Sequence, residues 1–268
     1  MNIKLDSIFI RRNYFTHFQK NVLIAYFILS LLILASWGVF LKPTIFNLLK
    51  GVVLVLLIPD IFRELDPDFS SGLFLTPLFL APAFYFTLEL SIIPSLWMLL
   101  CLRFLVRGNG LKPSILDSII IFLISLFLGL VFDIIYCILG SLIFLGDTSL
   151  KKKAPLSFFL GAILLIFGGT FFINMYAPKS QIINLPLIGL SVVGIAIFLP
   201  RFSGLKNAFS LDDLQKSFLS PRRIRLGQIF SIVFGFYLLL SGIPSSYIFI
   251  FAPLGASSLY YFYQTKKS

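Results

Sequence analysis

The stretch Ser114–Leu145 reads SILDSIIIFLISLFLGLVFDIIYCILGSLIFL, and the number of times it crosses a membrane decides the fold. As a single helix its 32 residues would extend roughly 48 Å at ~1.5 Å per residue. A bilayer's hydrocarbon core is only ~30 Å thick. The carboxylate of Asp133 lies near the middle of the run. The run is therefore either one long tilted helix or two short ones that reverse near Asp133.

Basic residues choose between these. Cytoplasmic loops of membrane proteins carry an excess of Lys and Arg. With two helices in this run, and ten in all, only Lys42, Lys50 and Lys179 of the 22 basic residues fall on the outer side. A single helix would move Lys151–Lys153 and the basic 201–225 segment outside. The charge pattern thus predicts two helices, with both ends of the chain cytoplasmic. Eight full spans plus a re-entrant pair keep the same asymmetry.

Outward from this run, apolar stretches predict helices over about 21–41, 44–62, 71–89, 92–106, 156–177, 182–200, 226–241 and 244–263. The expected fold is all-α, a polytopic bundle of eight to ten transmembrane helices. Its organisation is a basic N-terminal segment (1–20), one transmembrane domain (21–263) and a short basic tail (264–268). Arg11-Arg12 precede a run long enough to be retained as the first helix. The 201–225 loop contains Ser210 before Asp212-Asp213, a helix-start pattern. It predicts a surface helix, with Arg222, Arg223 and Arg225 facing lipid headgroups.

Composition agrees. The 268 residues are 58% hydrophobic and 12% charged, with a mean hydropathy of +0.99. Soluble domains run near ~45–50% apolar and ~25% charged. A fold of this size exposes too much area to hide that surplus from water, so lipid must be the solvent. The net charge of +11 follows from orientation and argues against a nucleic-acid partner. Anionic lipid headgroups are the expected contacts of the basic loops.

The lone histidine, His17, lies before the first apolar run. That excludes haem or metal held by intramembrane histidines, and Ser–His chemistry within the membrane. Cys101 and Cys137 each sit inside an apolar run, with no CxxC spacing, and read as packing residues. No phosphate-binding glycine loop is present. No cofactor, metal or self-supplied ATP chemistry is expected, and the sequence argues against an enzyme.

The densest acidic stretch is Asp60-Ile61-Phe62-Arg63-Glu64-Leu65-Asp66-Pro67-Asp68. Asp60, Glu64 and Asp66 could gather a divalent cation for a lipid diphosphate. That chemistry needs a second acidic cluster, for which Asp212-Asp213 is a poor substitute. A solvated loop balanced by arginines is the simpler reading.

Ionisable groups inside apolar runs are better pointers, because burying one near mid-membrane costs at least about 2.5–3.5 kcal/mol. Lys50, Glu89 and Asp133 are the candidates for a substrate or proton path. A Lys50–Glu89 or Lys50–Asp133 pair near the outer face is one arrangement. Interfacial snorkelling is the plainer one, and it is expected of Arg103 as well. Trp37, Trp97, Tyr260, Tyr261 and Tyr263 read as interfacial anchors.

Two short matches hint at repeats. Arg107-x-x-Gly110-Leu111-Lys112 recurs as Arg201-x-x-Gly204-Leu205-Lys206, and Leu41-Lys42-Pro43-Thr44-Ile45 resembles Leu111-Lys112-Pro113-Ser114-Ile115. They imply different symmetries, so no duplication is inferred. The expected function is a secondary carrier or permease for a small or amphipathic solute, working by alternating access in a bacterial cytoplasmic membrane. The alternatives are a structural subunit among other membrane subunits, and an enzyme acting on lipid-linked substrates at the cytoplasmic face.

Overall fold

The computed structural model describes residues 19–86, 90–107, 113–150, 155–175, 185–205, 210, 218–241 and 247–265. Among these residues the chain is helical: α1 (Lys20–Leu41), α2 (Ile45–Leu65), a 3₁₀ segment (Pro67–Leu75) running into α3 (Thr76–Phe86), α4 (Ile93–Val106), α5 (Ile115–Val131), α6 (Ile135–Leu150), α7 (Pro155–Met175), α8 (Leu185–Gly204), α9 (Pro221–Leu240), and a π-turn (Tyr247–Phe251) running into α10 (Ala252–Thr265). Among the described residues, five stretches are long and apolar enough to cross a membrane: α1, α2, the 67–86 stretch, α8 and α9. The chain fits an integral membrane protein.

The decisive run breaks where Asp133 falls. α5 stops at Val131, and Asp133 Oδ1 accepts the Ile135 amide at 3.0 Å, starting α6. Gly129 lies against Cys137 and Gly140 against Ser125, so α5 and α6 form an antiparallel hairpin. A Cβ on Gly129 would collide with the Cys137 sulfur, which explains the glycine. Gly161 against Phe144 and Gly168 against Ile138 continue the up-and-down path into α7.

Helix starts follow capping chemistry. Thr44 accepts the Asn47 amide at 3.3 Å, and Ser114 forms a reciprocal capping box with Asp117. The resemblance of 41–45 to 111–115 is thus shared helix-start chemistry.

Prolines account for the irregular pieces. Pro77 has no N–H for the Leu73 carbonyl, and the Thr76 amide takes that carbonyl instead, in a tighter turn. The expected helix over 71–89 is therefore 3₁₀ until Leu75. Pro253 likewise removes the donor for Phe249, inside the wider π-turn that opens the expected 244–263 helix. Pro59 inside α2 frees the Val55 carbonyl, and the Tyr26 hydroxyl of α1 donates to it at 2.7 Å. α9 begins earlier than expected, at Pro221, a residue suited to a first turn. Arg222, Arg223 and Arg225 therefore belong to a helix. Most of the expected surface helix after Ser210 lies outside the described residues.

Contacts divide the bundle into two lobes. In the first, α1, α2, the 3₁₀ segment with α3, α8, and the π-turn with α10 pack on one another. In the second, α4, α5, α6, α7 and α9 do so. Across the seam α2 meets α4 and α9, while α9 meets α8 and the π-turn. Trp97 and Trp37, expected as interfacial anchors, are instead core residues. Trp97 donates to Ser125 Oγ at 3.0 Å and packs edge-on against Tyr136 and Phe234 and at a tilt against Phe230. Trp37 packs on Phe84 and is fully buried.

Candidate functional site

The described ion pairs gather at one end of the bundle, where α2, α4, α6 and α8 finish and α7 and α9 begin. Three arrangements share this layer.

In the first lobe, Arg201 in the last turn of α8 grips Asp66 with two bonds, Nε–Oδ2 at 3.0 Å and Nη2–Oδ1 at 2.7 Å. The same Nη2 reaches Asp68 Oδ2 at 3.2 Å. Ser257 of α10 donates to Asp66 Oδ2. The guanidinium also lies 4.5 Å from the Phe69 ring centroid, a cation–π contact. Ser210 closes the rim, its amide donating to Asp68 at 2.8 Å and its hydroxyl to the Pro67 carbonyl at 2.8 Å.

In the second lobe, Asp147 of α6 receives Arg107 Nη2 at 2.7 Å and Arg223 Nη1 at 3.1 Å on Oδ1. Ser157 of α7 donates to Oδ2 at 3.3 Å. Arg107 caps α4 in the left-handed conformation, φ 61°. Burial, with Arg223 alongside, holds its guanidinium below its ordinary pKa; Asp147 opposes that shift.

The two clasps share one plan. In each, a fully buried aspartate accepts from both arginine and serine: Asp66 takes Arg201 on both oxygens with Ser257 sharing Oδ2, and Asp147 takes its arginines on Oδ1 and Ser157 on Oδ2. The matched Arg-x-x-Gly-Leu-Lys segments supply one arginine of each, Arg107 and Arg201. That repeat marks these arginines, and the acidic 60–68 stretch marks Asp66, though as a cation ligand. Asp147, Ser157 and Ser257 carried no such signal.

A third pair crosses the seam: Arg103 Nη2 of α4 to Asp60 Oδ2 of α2, at 2.9 Å. Two side chains of α9 cross with it. Gln228 Nε2 donates to the Leu65 carbonyl at 2.7 Å, and Arg225 to the Leu205 carbonyl. Arg223 also reaches the Leu105 carbonyl at 2.8 Å. The start of α9 thereby satisfies carbonyls at the ends of α2, α4 and α8, where helices leave acceptors unpaired. Cations suit those negative helix ends. Of the arginines expected to face headgroups, Arg223 and Arg225 turn inward and Arg222 is exposed. Arg103, expected to snorkel, is paired.

Two of the expected path residues, Lys50 and Asp133, take separate partners. Lys50 Nζ lies over the Phe46 ring at 4.6 Å. Asp133 uses its second oxygen to accept the Tyr237 hydroxyl at 2.6 Å. The expected Lys50–Asp133 pair is therefore not formed, and Glu89 lies outside the described residues. Asp60 and Asp66 turn to different arginines, and Glu64 is buried beside them in sequence. Among the described residues no three His, Cys, Asp or Glu side chains are grouped to hold a metal ion.

An open apolar groove of about 450 Å³ lies beside the α1–α2 turn, lined by Ala35, Gly38, Val39, Pro43, Ile45 and Leu48. Neither Lys50 nor Asp133 lines it. No protein-family model, curated protein or solved structure matches this chain.

Proposed function

We propose that this chain is a ten-pass secondary carrier or permease for a small or amphipathic solute, with its ionic layer and both chain ends on the cytoplasmic side. The observation that carries this reading is the seam. Two helical lobes meet along it, polar at one end and apolar at the other. Across the polar end run Asp60–Arg103 and the α9 side chains Arg225 and Gln228. Toward the other end, Gly235 packs against Ile250 and Phe251. Alternating access rocks one bundle against another around such a seam, and the broken helices at 67–75 and 247–251 suit that motion.

The test is flux. The purified chain, reconstituted in liposomes containing anionic lipid, is offered a panel of labelled amino acids, sugars, nucleosides and amphipathic dyes under an imposed proton gradient. Saturable uptake of at least one compound above protein-free liposomes is expected. A folded, monodisperse protein that moves none of them sinks the carrier reading.

A second reading, a structural subunit of a larger membrane complex, is favoured by one observation. The space between α4, α6 and α9 is filled by Trp97, Tyr136, Phe230 and Phe234. Under that reading the chain extracts from its native membrane in fixed stoichiometry with partner chains.

A further inference from the structure

We infer that the seam opens at its ionic end, with the Asp60–Arg103 pair as the bolt and one Arg–Asp–Ser clasp holding each lobe rigid as it moves. The inference rests on the carrier reading only for what the opening admits.

Three observations support it. First, the clasps stay within lobes. Arg201, Asp66 and Ser257 join α8, α2 and α10; Arg107, Arg223, Asp147 and Ser157 join α4, α9, α6 and α7. Asp60–Arg103 joins α2 to α4 across the seam.

Second, burial differs in the right sense. The side chains of Asp66 and Asp147 are 1% and 0% exposed. That of Asp60 is 15% exposed, so the contrast lies in the carboxylates; the arginines Arg103, Arg107 and Arg223 are alike at 11%, 14% and 11%.

Third, the chemistry of the two ends is opposite. Toward the other end, Gly235 lets Ile250 and Phe251 approach so closely that a Cβ there would lie 2.9 Å from them. Phe236 adds a ring contact with Phe251 at 5.3 Å. Wetting such a contact is unfavourable over all its apolar area. An ion pair behaves differently, because water solvates both charges when they part. A seam meant only to stay shut is better served by apolar side chains. An ionic bolt keeps the closed and open states near in free energy.

Spin-label distances in bilayers test this, on a background of Cys101→Ala and Cys137→Ala. Labels at the exposed positions Ser149 (α6) and Ser203 (α8) span the seam. Labels at Ser149 with Arg222, and at Ser203 with Thr265, stay within one lobe each. Asp60→Asn is expected to lengthen the Ser149–Ser203 distance by several ångströms and leave both within-lobe distances in place. Asp60→Arg with Arg103→Asp should restore the closed distance. If Asp60→Asn does not fold, raising the salt around the unmutated pair supplies the same reading, since the Asp60 carboxylate is more exposed than those of the clasps and is screened first. An unmoved seam distance overturns the inference, and so do within-lobe distances that lengthen equally. The readout needs no solute. Opening without flux removes the carrier reading alone; flux with an unmoved seam removes this inference alone.

Discussion

The Val55 carbonyl loses its ordinary helical donor to Pro59, and the Tyr26 hydroxyl replaces that donor across the α1–α2 contact. In lipid no water can take over this role. Tyr26→Phe should therefore lower stability by about 1–3 kcal/mol, the range for a buried acceptor left without a donor. The compensating change is specific. Pro59→Ala returns a backbone N–H to Val55, so Tyr26→Phe should cost far less on that background. Thermal unfolding of the four proteins in detergent measures the cycle, and equal penalties on both backgrounds would refute the pairing. The ionic layer gives a second residue-level contrast. Removing one partner of a buried pair costs about 3–5 kcal/mol because a charge is stranded. Asp66→Asn takes the two-point partner from Arg201, which is 5% exposed, and leaves it Asp68 at 3.2 Å, whereas Asp60→Asn acts on a pair whose side chains are 11% and 15% exposed. Asp66→Asn should destabilise the protein by the larger amount in the same assay; the reverse order would contradict the division into clasp and bolt.

Among the elements, the α5–α6 hairpin is the most exacting. Gly129 faces the Cys137 sulfur with no room for a Cβ. Overpacking of this kind costs about 1–3 kcal/mol, so Gly129→Ala should lower the unfolding midpoint, with part of the loss recovered by Cys137→Ala, which removes the sulfur. Absence of recovery would show that another neighbour sets the limit. Helix existence was legible in the sequence because apolar length is a local property. The expected 21–41 and 92–106 stretches are α1 and α4 to within a residue. Charge asymmetry, read over the whole chain, resolved the break at Asp133. The 3₁₀ and π pieces were missed because hydropathy does not see which carbonyl a proline leaves without a donor. The partners of the arginines were missed for another reason. Positive charge at helix ends fixes a side of the membrane, but whether an arginine meets lipid or a buried aspartate depends on which helices come together. Arg107 and Arg201 repeat in sequence, while Asp147 and Asp66, their partners, lie on helices the repeat does not mention.

For the whole molecule, the open quantity is how many times the chain crosses. α5 and α6 contain 17 and 16 residues, about 25 Å each at ~1.5 Å per residue, slightly short of a ~30 Å core. A hairpin of that length can reach the far interface with local bilayer thinning, or it can stop within the membrane as a re-entrant pair. Both arrangements put Ser149 on the basic side, so charge asymmetry alone does not separate them. The hairpin tip does. Phe132 is 54% exposed between the two helices, and Lys42 is exposed in the α1–α2 turn at the corresponding end. In a ten-pass topology, single cysteines at Phe132 and Lys42 react with a membrane-impermeant maleimide from the outer side, and one at Ser149 reacts only from the cytoplasm. A re-entrant pair leaves Phe132→Cys unlabelled from either side until detergent is added, while Lys42→Cys still labels from outside. Labelling of Ser149→Cys from outside would break both arrangements. It would also remove the cytoplasmic placement of the ionic layer, because Asp147 and its arginines lie at the same end of α6 as Ser149.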